Sequence, residues 1–442
     1  MEFVPVLLPA LTLLDEAESA SEVSIDPLGL YSIADALGVR LVPGVRERQR
    51  RPRFLTLLCA SAAVCQDFEP DSVADDRISQ PWQVFEWYVV EALVRRIDDN
   101  GRLRNLPGRD KVFSAVVQDH VPVSARRYLK TPSVFGFHGI YKVLARTLRV
   151  EHEGELDEHG YELLEIWESE RALEGFWTSR GGNGRAWRDK LRDAVSDGLK
   201  RGCTSRSGGW EGWDFIATHL AHDAPGTEER TLIARLLMEG ETGFRKDVLK
   251  CLVSPLGRKA WDPEESLNER PFHSVLASCG TADLKELLSA ITAYEALART
   301  LSDAFQACLY TLSQATQPIS LEKFSKLIAV KDAKANTADQ FRAAQDALAP
   351  LGLAPRLTMF AGLAAPMSTA DWAEALMNHH NQVQRDKPPR GKAPWVIRYD
   401  DGRFVVRPQY RVSRFQPMPN CYVHQYRAQP LTTFARDLGL LQ

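Results

Sequence analysis

The residues between Ser124 and Arg149 carry a run of positive charge that is suited to holding phosphate groups. This stretch has six basic residues and no acidic one. Lysine and arginine neutralise phosphates and displace the counterions of a nucleic acid, whereas a carboxylate on the same surface would repel the backbone. The pattern predicts a DNA-contacting surface, and the cations expected to form it are Arg126, Arg127, Lys130, Lys142, Arg146 and Arg149.

A second cluster of positive charge lies between Arg40 and Arg53. It has six arginines against a single acid, Glu47. Pro43-Gly44 and Pro52 interrupt the stretch, so it is typical of a loop or a helix entry rather than of a long basic helix. Most short arginine runs are simply solvated loops. The alternative is a second source of phosphate contacts, formed by Arg48, Arg50, Arg51 and Arg53.

A third cluster lies near the carboxyl end, where residues 385–436 hold eleven Lys and Arg against three Asp. Seven aromatic residues are interleaved with these cations: Trp395, Tyr399, Phe404, Tyr410, Phe415, Tyr422 and Tyr426. Such a mixture suits backbone contacts combined with base stacking. The alternative is a small β-unit whose aromatic side chains pack on a helical domain while its arginines face water. On the first interpretation, the phosphate contacts are Arg407, Arg411 and Arg414.

The sequence lacks the common motifs of catalysis and metal binding. It has no Gly-x-x-x-x-Gly-Lys-Ser/Thr loop, no Gly-x-Ser-x-Gly and no His-Glu-x-x-His. His219, His222 and Asp223 have a spacing that could present two ligands to a metal, but further ligands are not evident and a polar helix end is favoured. His424 and Tyr426 could grip a phosphate or do acid-base work, although a surface role is favoured. We therefore predict no catalytic residue, no metal and no cofactor.

Helical and turn signals must position the first basic cluster. Thr131-Pro132-Ser133 is expected to interrupt regular secondary structure. The apolar residues between Phe137 and Arg149 then follow a helical period. A short polar turn leads into Leu156–Leu164, whose pattern of strand, turn and helix is typical of the end of a wing. We therefore predict that residues 121–175 form a winged helix-turn-helix.

The predicted recognition helix would present Lys142, Arg146 and Arg149 on one face, opposite its apolar stripe. His138 and Tyr141 would lie at its groove-facing start. Against DNA contact, residues 151–170 hold nine acids and no Lys or Arg, so the wing and the following helix would repel phosphate. Winged helices also dock proteins. At this point direct DNA contact and protein docking remain open.

The rest of the chain is predicted to be mainly α-helical and multidomain, because 442 residues exceed one ordinary core. The expected long helix covers 281–312, which has no Gly or Pro and a period near 3.6. Asp400-Asp401-Gly402, between two alternating segments, predicts a β-hairpin. The predicted domains are an N-terminal helical domain with the arginine-rich loop (1–120), the winged helix-turn-helix (121–175), a helical domain with the long helix (176–384) and a basic, aromatic-rich β element (385–442).

Composition is that of a globular protein, with 44% hydrophobic and 26% charged residues and a formal net charge of −3. Any nucleic-acid surface must therefore arise from local clustering rather than from bulk charge. The seven scattered cysteines include no Cys-x-x-Cys pair, which argues against a disulfide framework. The apolar run Phe3–Leu14 lacks a basic leader and is too short to span a membrane, so we expect a docking strand or helix. These features predict a cytoplasmic protein without membrane contact.

Leu41–Arg46 with Arg50–Phe54, followed by the predicted winged segment and the long helical region, resembles uncharacterised winged-helix-containing bacterial proteins encoded in phage-defence or DNA-modification operons. The resemblance rests on patterning over about the first 310 residues. It implies an accessory protein that associates with DNA or forms complexes, and it carries over no catalytic residue.

The expected function is therefore non-catalytic. The favoured hypothesis is a subunit that binds double-stranded DNA and other protein subunits within a bacterial multi-protein defence or DNA-processing complex. The alternative is a protein-protein scaffold subunit of such a complex, without direct DNA contact. A weaker alternative is a nuclease-type effector with an unrecognised site.

Overall fold

A computed structural model of the chain describes residues 26–96, 105–178, 181–240, 243–388 and 390–441. The predicted docking segment Phe3–Leu14 lies outside these residues. The chain divides into two compact units, which we call unit 1 (Met1–Val42 and Lys250–Ala428) and unit 2 (Pro43–Leu249 and Gln429–Gln442). Each unit combines stretches that are distant in sequence, whereas the sequence suggested four consecutive domains, whose boundaries stay a prediction.

Both units are mainly helical, as predicted. In unit 1 the helices are α1 (Tyr31–Leu41), α12 (Pro255–Ala260), α13 (Arg270–Cys279), α14 (Ala282–Gln314), α15 (Leu321–Ser325), α16 (Ile328–Leu348), α17 (Ala361–Ala364) and α18 (Thr369–Asp386). In unit 2 they are α2 (Phe54–Cys65), α3 (Pro81–Arg95), α4 (Arg109–Phe113), α5 (Pro132–Phe135), α6 (Phe137–Thr147), α7 (Glu158–Glu170), α8 (Asn183–Arg201), α9 (Gly212–His219) and α10 (Thr227–Met238).

Two further helices, α11 (Arg245–Val253) and α19 (Ala428–Asp437), include residues of both units. Four short helical turns complete the set: a π turn at Ser114–Gln118 and 3-10 turns at Ala125–Arg127, Ala354–Phe360 and Pro408–Tyr410. Among the residues that the structure describes, no helix combines the length and the apolarity needed to cross a membrane.

The long helix α14 confirms the predicted helix over 281–312 and is the main core element of unit 1. Thr281 caps it by accepting a hydrogen bond from the backbone N–H of Leu284. Buried apolar residues recur every three or four positions along its 33 residues, and α16 packs along it. A helix of this length is stabilised mainly by packing of its apolar face.

The predicted C-terminal hairpin is confirmed as an antiparallel pair, β3 (Val396–Arg398) and β4 (Phe404–Val406). Gly402 has φ +81°, a left-handed conformation that glycine adopts without steric cost. On its other edge, β4 exchanges two backbone hydrogen bonds with Ile319, which precedes α15.

The aromatic residues of this C-terminal block are mostly core residues rather than stacking platforms for bases. Trp395 and Tyr410 are buried and stack on each other, with ring centroids 4.6 Å apart and planes 5° apart. Phe404, Tyr422 and Tyr426 are also buried, whereas Tyr399 is 48% exposed. The alternative in which the aromatic side chains pack on the helices is therefore correct for these five buried rings.

Two buried glutamates hold the segment that leads into α19. Glu295 on α14 accepts hydrogen bonds from the Val423 backbone, from the Tyr426 hydroxyl at 2.6 Å and from the His424 imidazole at 2.7 Å. Glu269 accepts the backbone N–H groups of Tyr426 and Ala428. Burial by itself would raise the pKa of Glu295, but the neighbouring His424 and the donated hydrogen bonds hold that pKa below its usual range.

The contacts of Glu295 should make the stability of unit 1 depend on pH. Because the pKa of Glu295 is lower in the folded state, the carboxylate stabilises the fold above the unfolded-state pKa and loses that effect as pH falls through the folded one. Replacing Glu295 by Gln should lower the free energy of unfolding at pH 7 by on the order of 2 kcal/mol. Urea unfolding at pH 7 and at pH 4 measures the difference between the two proteins, which should shrink at the lower pH. A difference that is constant with pH contradicts the assignment.

Candidate nucleic-acid interface

The first basic cluster lies in unit 2, around a tight junction of α5 and α6. The two helices are joined by Gly136 alone. A Cβ atom on Gly136 would lie 2.0 Å from a carboxylate oxygen of Glu86, and one on Gly139 would lie 2.4 Å from the carbonyl carbon of Ser133. Both positions therefore require glycine, because the one-turn helix α5 and Glu86 approach the backbone of α6 directly.

A two-stranded hairpin follows α6, formed by β1 (Glu151–His152) and β2 (Glu155–Leu156). Glu153 and Gly154 form its turn with positive φ angles. Helix, hairpin and the next helix α7 thus follow in the order that the sequence suggested for a wing. However, α5 has only four residues and its connection to α6 only one, whereas a helix-turn-helix joins its helices through three or four residues.

The amino-terminal half of α6 is sealed inside unit 2. Phe137 is fully buried, and the Nδ1 of His138 lies 2.9 Å from Glu86 while its Nε2 lies 2.9 Å from the hydroxyl of Ser61. The buried hydroxyl of Tyr141 accepts the backbone N–H groups of residues 50 and 51, both at 2.8 Å. The prediction that His138 and Tyr141 face a DNA groove is therefore wrong.

Ser61, His138 and Glu86 are aligned in the order of hydroxyl, imidazole and carboxylate that activates serine nucleophiles. Here, however, Ser61 lies in the interior of α2, where every residue of Phe54–Val64 is buried, and it is itself 2% exposed. Glu86 is completely buried and also accepts the Tyr128 hydroxyl at 2.6 Å and the backbone N–H of His138 at 3.1 Å. The arrangement anchors the start of α6 to α2 and α3. Its members are up to 77 residues apart, so no local sequence signal reveals it.

The carboxyl-terminal half of α6 is exposed and cationic. Lys142 and Arg146 project from its open face one turn apart. The ammonium of Lys142 donates to the backbone carbonyl of Ser133 at 3.1 Å, which leaves its charge uncompensated. Arg126 and Lys130, in the segment before α5, are exposed as well. Within the part of the chain that the structure describes, none of these four cations forms an ion pair with a carboxylate.

The other two predicted cations of this cluster are already neutralised. Arg127 pairs with Asp119 at 2.7 Å. Arg149 pairs with Glu158 at 2.6 Å and lies 3.9 Å from Asp157. Both pairs are exposed to solvent, where an ion pair contributes little stability. Either arginine could contact a phosphate only after its ion pair opens, which costs little at an exposed site.

The arginine-rich loop packs against α6 and mainly supports this helix. The side-chain amide of Gln49 donates to the carbonyl of Ile140 at 2.9 Å. The guanidinium of Arg48 lies over the ring of Phe135 on α5, 4.5 Å from its centroid, and remains half-buried. Arg50 is half-buried, with its pKa lowered by burial, and Arg51 pairs with Asp437. The loop is thus near the basic cluster, but its charges are largely directed into unit 2.

Arg53 is removed from the candidate phosphate contacts. Its side chain is completely buried, with the guanidinium Nε 3.0 Å from Glu229, and it also donates to the backbone carbonyls of His219 and Ala221. Burial lowers the pKa of Arg53, and the carboxylate of Glu229 opposes that shift. The high arginine content of this loop therefore reflects, at this position, an internal ion pair.

The three candidate arginines of the third cluster belong to unit 1. Arg411 and Arg414 are exposed, whereas Arg407 is half-buried and donates from Nε to the carbonyl of Pro394 at 2.7 Å. With most of the neighbouring aromatic rings packed in the core, the block retains little of the stacking surface that its DNA-binding hypothesis requires. Arg407, Arg411 and Arg414 remain untested as phosphate contacts.

His219 and His222, the two histidines of the possible metal-binding motif, have a structural role. The ring of His222 stacks on Phe54, with centroids 5.5 Å apart, and burial lowers the pKa of His219. The described residues contain no group of three or more His, Cys, Asp or Glu side chains that could hold a metal ion.

The anchor of α6 can be tested by replacing Glu86 with Gln. The amide has one acceptor oxygen where the carboxylate has two, so it cannot satisfy Tyr128 and both donors of His138. We expect the free energy of unfolding to fall by about 2 kcal/mol. Glu158→Gln, at an exposed ion pair, is the matched control and should cost no more than about 0.5 kcal/mol. Equal effects of the two changes in urea unfolding would argue against the anchor.

The internal role of Arg53 can be tested with Arg53→Met. This change leaves Glu229 buried without its cation, and we expect a loss of about 3–5 kcal/mol in the free energy of unfolding. Adding Glu229→Gln should restore part of that loss, and Arg48→Met is the control from the same loop. If Arg53→Met instead weakened DNA binding at unchanged stability, Arg53 would be a phosphate contact after all.

The arrangement as a whole offers fixed positive charge at one end of a rigidly anchored helix. Comparison of the chain with protein-family models, with curated proteins and with solved structures found no match.

Proposed function

We propose that the protein is a non-catalytic DNA-binding accessory subunit of a bacterial multi-protein defence or DNA-processing complex. Unit 2 would contact the DNA through α6 and the segment that precedes α5. In this proposal α5, α6 and the β1–β2 hairpin are a reduced form of a winged helix-turn-helix, with α6 as the helix that contacts the DNA.

One observation carries the proposal: four exposed cations on and next to α6 have no carboxylate partner among the described residues. On this chain, whose net charge is −3, Arg127 and Arg149 each pair with an acid, whereas these four cations do not. Lys142 and Arg146 lie one turn apart on α6, and neighbouring uncompensated cations create a local positive potential, which attracts a polyanion despite the net negative charge. The residues assigned to this contact are Arg126, Lys130, Lys142 and Arg146.

A second candidate function is that of a scaffold subunit that binds protein only. The observation in its favour is the β1–β2 hairpin, whose tip carries exposed Glu153 and Glu155. A phosphate backbone would be repelled by this tip, whereas a basic protein surface would be attracted to it. The two candidates differ in whether the purified chain binds DNA by itself.

The proposal predicts that reversing charge on α6 weakens DNA binding. The double variant Lys142→Glu/Arg146→Glu replaces two attractive contacts by two repulsive ones, so the dissociation constant should rise at least tenfold and its salt dependence should flatten. Fluorescence anisotropy with a labelled 30-base-pair duplex at 50 mM salt measures this. Circular dichroism should show unchanged helix content, because both side chains are exposed.

The matched control is Lys331→Glu/Lys334→Glu, which reverses two exposed cations on α16 of unit 1. It changes the net charge by the same amount and should leave affinity within twofold of the wild type. Equal weakening by both double variants would show that only bulk charge matters. Absence of binding by the wild-type protein, combined with stable copurification with a partner subunit, would favour the scaffold function.

A further inference from the structure

We infer that the α6 surface binds the phosphate backbone of double-stranded DNA without reading base sequence. This inference rests on the proposed function and specifies its ligand. It follows from which half of α6 is exposed, from the side chains on the open face and from the position of the aromatic rings.

The half of a recognition helix that normally reads bases is not accessible here. In helix-turn-helix proteins the amino-terminal residues of the recognition helix contact base edges in the major groove. The corresponding residues of α6 are engaged internally: Phe137 is buried, His138 is held between Glu86 and Ser61, and Tyr141 is covered by the arginine-rich loop. The helix therefore cannot enter a groove with its amino terminus first.

The exposed half of α6 lacks the side chains that pair with adenine. Asparagine and glutamine, which pair with adenine through two hydrogen bonds, are absent from Phe137–Thr147. The hydroxyl of Thr147 already donates to the carbonyl of Val143 at 2.8 Å. Lys142 and Arg146 could pair with guanine inside a groove. Because the buried amino-terminal half keeps α6 out of a groove, they and the preceding Arg126 and Lys130 are left to contact phosphate oxygens.

The same surface is not built for single strands. Sequence-independent binding of single-stranded DNA relies on exposed aromatic rings on which bases stack. Around α6, Phe137 and Tyr141 are buried, and one side of the Phe135 ring is covered by Arg48. The acidic hairpin tip also cannot enter a minor groove, because Glu153 and Glu155 would face phosphates. Backbone contact with a duplex is the binding mode that these side chains permit.

The test compares labelled 30-base-pair duplexes of AT-rich, GC-rich and mixed sequence with a single strand of the same length, by anisotropy with the full chain. The dissociation constants of the duplexes should agree within fivefold, and the single strand should bind more weakly than any of them. Four phosphate contacts predict a slope of about −3.6 for the logarithm of affinity against that of salt, which is about a 150-fold loss between 50 and 200 mM. Lys142→Ala should reduce the slope by about 1.

The outcomes separate this inference from the proposed function. A preference of more than fivefold for one duplex, or tighter binding of the single strand, overturns the inference while DNA binding itself stands. A Lys142→Ala slope equal to that of the wild type removes Lys142 from the contact surface and also overturns it. No binding to any of these probes at 50 mM salt, by protein that circular dichroism shows to be folded, overturns the proposed function.

Discussion

Buried glutamates constrain this structure, and each requires hydrogen-bond donors that come from distant parts of the chain. Glu86, Glu229, Glu269 and Glu295 are almost completely removed from solvent. An ionised carboxylate without partners costs many kcal/mol in such surroundings, so the fold must supply donors. Most of these donors belong to loops or helix starts. Glu295 and Glu269 accept hydrogen bonds from residues 423–428. Glu229 pairs with Arg53 and accepts a hydrogen bond at the start of α10. Irregular segments thereby acquire fixed positions.

The same constraint decides what α6 can do. The start of a helix carries unpaired N–H groups and partial positive charge, which usually make it a site for phosphate. In α6 a protein anion already uses this end, since Glu86 accepts the backbone N–H of His138. The partial negative charge at the opposite end favours cations, and Arg146 lies in that last turn. The orientation of α6 is therefore consistent both with its anchoring by Glu86 at the amino-terminal end and with its exposed cations towards the carboxyl-terminal end.

Local patterns predicted the regular elements well, because a helix or a hairpin is specified by residues that are close in sequence. The predicted helix over 281–312 corresponds to α14, and the Asp400-Asp401-Gly402 turn joins the two strands of the predicted hairpin. Charge counting was less informative, since it cannot distinguish a solvated arginine from one that is paired 176 residues away, as Arg53 is with Glu229. His138, at the start of α6, was wrongly placed at a DNA groove because its partners are also distant in sequence. Of the candidate site, sequence reasoning identified the exposed cations but not the buried contacts that orient them.

The four proposed phosphate contacts would also limit what this surface can achieve alone. Sequence-independent binding through a few cations gives dissociation constants of roughly 10⁻⁴ to 10⁻⁶ M at physiological salt, and the net charge of −3 provides no additional long-range attraction. A duplex held only by unit 2 would dissociate readily. Coupling to a second DNA-binding subunit changes this, because the second contact is then made at an effective concentration near the millimolar range, and the overall affinity rises by two to four orders of magnitude. In the proposed function this weakness is offset within an assembly, where the exposed acidic tip of the β1–β2 hairpin would suit a basic protein partner.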